Sequence, residues 1–432
     1  MSKFNVKAVI IASLAGLLFG FDTAVISGVT QSLREVFHLD DQGLGLAVSV
    51  ALWGTFFGAL FMGRLGDSLG GRDALRLIGI LYLVSSLGCA LSTGFNGFLL
   101  FRFTLGLAIG GSSVLAPVYI SEIVPAHRRG GLVGLFQFNI VFGILLAYLS
   151  NYLVGQLNGG SDAWRWKLGL AALPALLFFA LLFTIGQSAR WLVTKGRLEE
   201  AARTLNTLGI AEPGPMIAEF GLAATDHGRL TWANHKKPII FAVLLALFNQ
   251  FTGINAILYY LNDIFSAAGF SAVSADIQTV AVGLANLIAT CAGMILIDRF
   301  GRKRLLTTGA VGMVIALVGV TVIMASGQGR GLLLILLILF IVSFAASQGA
   351  VIWVYISEIF PTSVRARGQS LGSATHWIVN AVISGAFPWV AAHTKALPFA
   401  VFAGVTLLQY LVVSRYFPET KGIELEDMSK AL

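Results

Sequence analysis

The chain alternates long apolar runs with short polar intervals. Windows of about 20 predominantly apolar residues, the length that crosses a bilayer core, recur twelve times. Six lie near 6–28, 43–66, 74–93, 97–120, 131–154 and 165–186, and six near 238–263, 275–297, 304–325, 331–357, 368–390 and 396–416. These are spans 1 to 12. Small residues are frequent in them, as at Gly106, Gly110 and Gly111 of span 4. Such residues let helices approach closely in lipid, where burial alone drives little association. One longer polar interval, 187–237, separates the two sets of six. Within it Leu198, Ala201, Ala202, Leu205 and Leu208 recur at helical spacing beside Arg197, Glu199, Glu200 and Arg203, and Pro213, Gly214 and Pro215 end the pattern. It reads as an amphipathic linker helix, with a disordered linker as the alternative. The pattern predicts an all-α membrane protein with a six-helix half over 1–186, a linker over 187–237, a second half over 238–417 and a tail over 418–432.

Composition narrows the class. Of 432 residues 56% are hydrophobic and 12% charged, whereas soluble domains carry roughly 25% charged residues. A soluble enzyme of this length could not cover its surface so sparsely. Cys89 and Cys291 both lie inside apolar runs, which leaves no disulfide framework or metal cluster. The excess of 29 Lys+Arg over 21 Asp+Glu raises the question of a nucleic-acid partner. With the N-terminus inside, 23 of those cations fall on inside intervals, five (Arg34, Arg165, Lys167, Arg330, Lys395) fall outside, and Arg102 sits within span 4. That asymmetry orients a multi-pass protein with both termini cytoplasmic, and it accounts for the positive charge without nucleic acid. Lys3 and Lys7 resemble the start of a signal peptide, but the run behind them is long and holds Asp22, so it reads as a span.

The halves repeat each other. Tyr119-Ile120-Ser121-Glu122-Ile123, followed by Pro125 and Arg129, recurs as Tyr355-Ile356-Ser357-Glu358-Ile359, Pro361 and Arg365. Gly66-Asp67-Ser68-Leu69-Gly70-Gly71-Arg72 is echoed by Ile297-Asp298-Arg299-Phe300-Gly301-Arg302-Lys303. Both pairs fall at cytosolic helix ends, after spans 2 and 8 and spans 4 and 10. Carboxylates and guanidiniums at matched ends (Asp67, Arg72, Glu122 and Arg129; Asp298, Arg302, Glu358 and Arg365) make cytosolic latches that must break when the inner gate opens. The alternative is that these charges only fix topology. Paired halves place the substrate between them near mid-membrane and work by rocking.

Chemistry inside the membrane follows from depth. The midplane lies about ten residues into each span. Gln250 is twelve residues into span 7, Asn286 eleven into span 8 and Asn380 twelve into span 11. Amides both donate and accept and carry no charge, which suits sugar hydroxyls. Asn255 lies beyond Thr252-Gly253, a plausible helix break where backbone lines a cavity. Trp353 and Trp377 suit the apolar face of a sugar ring. The alternatives are interhelical hydrogen bonds for the amides and core or interface packing for the indoles. Asp22 and Arg102 are the ionisable residues well inside spans 1 and 4. Rise per residue puts both roughly 5–8 Å below the outer face, where they can pair if those spans adjoin. Such residues are functional by default. A static ion pair holding two helices is the other reading.

These motifs, together with Gly20-Phe21-Asp22-Thr23, Asn249-Gln250-Phe251-Thr252-Gly253-Ile254-Asn255, Tyr259-Tyr260 and Pro418-Glu419-Thr420-Lys421-Gly422, resemble the sugar porter family of the major facilitator superfamily over nearly the whole chain. The resemblance implies the major facilitator fold. It implies sugar ligands at Gln137 in span 5, Gln250, Asn255, Asn286, Trp353, Trp377 and Asn380, and a proton-coupling carboxyl at Asp22 beside Arg102. His376 stands where relatives often have Gln or Asn. The family's Pro-Glu-Ser-Pro-Arg after span 6 is here Gly186-Gln187-Ser188-Ala189-Arg190, its paired glutamines are Asn249-Gln250, and its Gly-Pro before the span 10 tryptophan is Gly349-Ala350.

The expected function is proton-coupled symport of a monosaccharide, hexose or pentose, by a monomer in the cell membrane without a cofactor. A facilitative uniporter and a transporter-shaped sugar sensor are the alternatives. No Ser/His/Asp set, metal-ligand spacing or phosphate-cradling loop sits at one depth, so an enzyme is not expected.

Overall fold

A computed structural model describes residues 6–124, 129–157, 160–208, 210, 212–222, 230–361 and 364–421. Among these residues the structure is helical throughout, with no strand. Lipid offers backbone groups no hydrogen-bond partner, so each crossing segment must satisfy its own, which the α-helix does. Eleven helices are long and apolar enough to cross: Val6–Gly28, Asp41–Leu69, Gly71–Leu91, Phe95–Ile123, Gly134–Leu157 and Ala163–Thr184, then Trp232–Tyr259, Ala272–Ile297, Arg302–Ser326, Arg330–Glu358 and Leu397–Tyr416. The remaining span, span 11, is the 29-residue helix Arg365–His393. It is as long as its neighbours but less apolar, because it carries Gln369, Thr375, His376 and Asn380.

The chain divides into two compact units. The first comprises Met1–Asp22, Trp53–Ile144 and Arg165–His227. Its core gathers Ala8, Ile78, Tyr82, Tyr119 and Phe178 from spans 1, 3, 4 and 6. Spans 2 and 4 cross closely here. A Cβ added at Gly58 would overlap the carbonyl oxygen of Leu107, and one at Gly110 would overlap that of Thr55. The linker as far as His227 also belongs to this unit. The expected amphipathic helix is present as Leu198–Thr207, with Ala201 and Leu205 buried. A further helix, Gly214–Leu222, begins where Pro213 ends the first pattern, and its Phe220 packs with Ala189 and Leu205.

The second unit comprises Thr23–Leu52, Leu145–Trp164 and Gly228–Leu432. Its core is built from Leu306, Tyr355, Ile356, Phe360 and Phe417. The ends of spans 1, 2 and 5 remote from the linker pack into this unit. The Tyr148 hydroxyl donates to the Leu258 carbonyl at 3.0 Å, and the Asn151 amide donates to the Val25 carbonyl at 3.2 Å. Span 7 is broken where the sequence places Thr252-Gly253. One helix ends at Phe251, Gly253 sits at φ +83°, and a second helix runs Ile254–Tyr259. Only glycine adopts that backbone without strain. Span 10 carries a wider π-turn over Ala345–Gly349.

The close crossing of spans 2 and 4 yields a stability expectation. Gly58→Leu forces a side chain into the Leu107 backbone, and overpacking of this kind costs about 1–3 kcal/mol. Thermal unfolding of the detergent-solubilised protein is expected to show a lower midpoint for Gly58→Leu. Gly404→Leu, where nothing lies within 4 Å of the added carbon, should leave the midpoint unchanged.

Candidate functional site

Span 7 carries the central amide. The Gln250 side chain is buried, and its Nε2 donates to Asn249 Oδ1 at 3.0 Å. The same nitrogen lies 3.0 Å from both ring nitrogens of His376 on span 11. Its Oε1 accepts from Asn255 Nδ2 at 3.0 Å, across the Gly253 break. The break brings these two residues together, because a continuous helix would set positions five apart on diverging faces. The His376 ring stands 5.1 Å from the Trp353 ring and 5.0 Å from the Trp377 ring, tilted to the first and edge-on to the second. Four sequence-selected residues, Gln250, Asn255, Trp353 and Trp377, are therefore joined into one connected cluster through His376.

The other selected amides sit apart from it. Asn380 is fully buried, donates to the Tyr259 hydroxyl at 3.3 Å and accepts from Ser384 at 3.0 Å. Both ends of that amide already have protein partners. Asn286 accepts a long 3.5 Å hydrogen bond from Thr290 on its own helix. Gln137 lies on the helix Arg129–Leu157, half-buried, in the first unit.

In the first unit Arg102 Nη1 donates to Asp22 Oδ1 at 2.6 Å, and the two side chains are only 3% and 6% exposed. Spans 1 and 4 thus adjoin at these two residues. Arg102 Nε is buried with no partner among the described residues. A buried guanidinium with an unused donor sets a high cost on removing its carboxylate partner.

The linker-side ends carry the repeated charges. In the second unit Arg302 grips Glu358 with two hydrogen bonds, of 3.1 and 2.7 Å, and Thr420 donates to the same carboxylate at 2.6 Å. Glu419 caps span 9, accepting from the backbone N–H groups of Arg302 and Lys303 at 2.8 and 3.1 Å. Burial raises the Glu419 carboxyl, but its backbone N–H donors outweigh that and hold it below the usual range. In the first unit the corresponding cap is Gln187, whose Oε1 accepts from the Arg72 N–H at 3.0 Å while its Nε2 donates to the Leu69 carbonyl at 3.1 Å. The carboxylate lost from the family motif is replaced by an amide doing the same capping.

Arg72 pairs with Asp73 at 2.9 Å. Glu122 lies beside Ser188 and faces Arg190. Asp67 is exposed, and its carbonyl accepts from the Trp191 indole at 3.0 Å. The side chains of Arg129 and Asp298 lie outside the described part of the structure, and Arg365 opens span 11. Sequence reasoning missed the capping roles of Gln187 and Glu419 and the linking role of His376. Aligning Gln187-Ser188 with Glu419-Thr420 as one more repeat would have found the first two.

Comparisons with known proteins place this geometry. The family described as "Sugar (and other) transporter" matches residues 8–432. The chain is 34% identical to a D-xylose-proton symporter of Escherichia coli (strain K12), over 99% of this chain and 95% of that one. It is also 34% identical to the major myo-inositol transporter IolT of Bacillus subtilis (strain 168), over 98% of this chain and 93% of that one. The inward-open structure of the xylose transporter XylE from E. coli superposes with a TM-score of 0.87 at 32% identity, covering 98% of each chain.

The Arg302–Glu358 clamp generates a second stability expectation. Glu358→Gln keeps the shape but removes the charge that two guanidinium hydrogen bonds and Thr420 use, a loss of about 1–3 kcal/mol. The thermal midpoint of the solubilised variant is expected to fall by a few degrees. An unchanged midpoint would assign Glu358 a topological role only.

Proposed function

This chain belongs to the sugar transporter family of the major facilitator superfamily, and on that basis we propose that it imports a monosaccharide together with a proton by alternating access. It is a multi-pass membrane transporter and not an enzyme. The observation that carries the coupling is the buried Asp22–Arg102 pair, 2.6 Å apart. Ionisable groups at that depth are expensive unless they work. Opening and closing of the surroundings changes how strongly Arg102 favours the ionised carboxyl, so the pair can take up a proton on one side and release it on the other.

The proposed sugar site is the cluster of Gln250, Asn255, Trp353, Trp377 and His376, with Gln137, Asn286 and Asn380 as further ligands. Amides and the imidazole supply matched donors and acceptors for hydroxyls, and the indoles cover the ring's C–H face. Substrate identity stays at the level of a monosaccharide or related polyol, because the xylose and myo-inositol carriers are equally similar to this chain. The distribution of Lys and Arg supports cytoplasmic termini, with Arg302, Glu358, Glu122 and their neighbours as inner latches. The proposed organisation keeps the halves 1–186 and 238–417, the linker 187–237 and the tail 418–432. The proposed working unit is a monomer in lipid. A uniporter without coupling is the second reading, because a static ion pair would hold spans 1 and 4 equally well.

Two measurements test this. Gln250→Ala is expected to weaken sugar binding about 5- to 150-fold, the equivalent of roughly 1–3 kcal/mol of unsatisfied hydrogen bonding. Calorimetry on the purified variant reads it, and an unchanged dissociation constant would make Gln250 structural. Asp22→Asn is expected to abolish accumulation of sugar against its gradient in proteoliposomes while preserving exchange of labelled for unlabelled sugar. A variant that still concentrates sugar under an imposed pH gradient would remove Asp22 from the coupling step.

A further inference from the structure

Two glutamines outside the transport chemistry meet inside the second unit. Gln348 belongs to the π-turn of span 10 and Gln409 to span 12, and both side chains are fully buried. Gln348 Nε2 donates to Gln409 Oε1 at 2.5 Å. The other two amide atoms, Gln348 Oε1 and Gln409 Nε2, are buried without a hydrogen-bond partner among the described residues. Turning both amides over would exchange their roles and leave the same deficit, one donor and one acceptor. The nearest hydroxyls along each chain segment serve their own helices. Ser347 donates to the Ser343 carbonyl at 2.5 Å, and Thr406 donates to the Phe402 carbonyl at 2.7 Å.

Neighbouring spans close on the turn from other sides. A Cβ at Gly293 of span 8 would overlap the Ala345 carbonyl, and one at Gly309 of span 9 would overlap the Ser347 hydroxyl. Glycine at both positions lets backbone approach the turn and brings no side chain that could reach the open amide atoms. A buried donor and a buried acceptor left empty are costly, most of all in a bundle surrounded by lipid. The two open atoms belong to amides already in contact, so they are near neighbours with opposite needs. A water molecule donates and accepts at once, and buried waters settle where roughly two to four polar groups converge. An ion would find no countercharge in two neutral amides.

We propose that Gln348 and Gln409 bind one water molecule between their open atoms, and that this three-member lock fastens the π-turn of span 10 to span 12. The lock is independent of which sugar or ion is carried. A π-turn inserts one residue into a helix, so everything after it is turned by about 100° relative to an uninterrupted helix. Trp353, whose ring stands 5.1 Å from that of His376, and Glu358, which Arg302 grips, both follow the turn. Slippage of the turn would swing both away from their partners. The lock therefore fixes which way the rest of span 10 faces.

Crystals of the unaltered protein grown in a lipid phase, at a resolution that shows ordered waters, read the first part. A peak about 2.7–3.2 Å from both Gln348 Oε1 and Gln409 Nε2 is expected. A second direct amide–amide bond, or two ordered amides with no peak between them, would overturn the water site. Methionine keeps the shape of glutamine without its polar atoms. Gln348→Met and Gln409→Met each leave the other amide without a partner, so each is expected to lower the thermal midpoint of the solubilised protein. The double variant removes the whole demand and is expected to melt above both. Losses that simply add would overturn the pairing. Hydrogen–deuterium exchange separates fastening from stability. In the double variant the amides of Ala345–Gly349 are expected to exchange about tenfold faster than in the unaltered protein, while those of Leu333–Phe344 keep their rate. Unchanged exchange over Ala345–Gly349 would leave the amides a folding contact and overturn the lock.

Discussion

A bilayer core contains no water to hydrogen-bond, and that single fact organises this molecule. Backbone groups are satisfied within helices, so every other polar group in a span has to find its partner in the protein. The Asp22–Arg102 pair, the Gln250–His376–Asn255 chain and the Asn380–Tyr259–Ser384 chain are three local solutions to the same constraint. They differ in how completely the demand is met. Asn380 has both ends occupied, while Arg102 keeps a buried donor idle. Incomplete satisfaction is where a transported hydroxyl or proton has something to gain by entering.

The duplicated halves show how one mechanical requirement accepts two chemistries. Gly70 and Gly301 both adopt φ +84° at the turn between adjacent spans, and both turns expose helix N–H groups that need an acceptor. In the second unit Glu419 answers with a carboxylate, and in the first Gln187 answers with an amide. The carboxylate gains from the helix dipole and can be neutralised by acid, whereas the amide is indifferent to pH. The repeat is therefore geometrically conserved within the chain but electrically unequal.

Much of this was legible in the residues. Apolar windows of the right length gave the spans, because lipid imposes length directly on sequence. Span 11 was found by the same windows even though His376, Asn380 and Gln369 dilute it. Depth counting brought Asp22 and Arg102 to one level, and the structure pairs them, since rise per residue is fixed in a helix. The break at Gly253 followed from one glycine beside polar neighbours. What escaped were contacts made by residues far apart with no periodic signature. The Ser27–Asn262 hydrogen bond joins residues 235 positions apart, and Gln187 looked like a lost carboxylate because its capping depends on an acceptor's position, not its charge. Asn286 and Asn380 illustrate a further limit. Equal depth puts amides in one plane, but only helix rotation decides which of them meet.

The interruption of span 7 has a mechanical meaning. Two rigid rods, Trp232–Phe251 and Ile254–Tyr259, meet at a left-handed glycine with Gln250 and Asn255 on either side. A joint is the fulcrum of a lever: the arms sweep through large arcs while points beside the pivot hardly travel. In the proposed function, amides set at that fulcrum keep hold of the sugar while the distal arm swings.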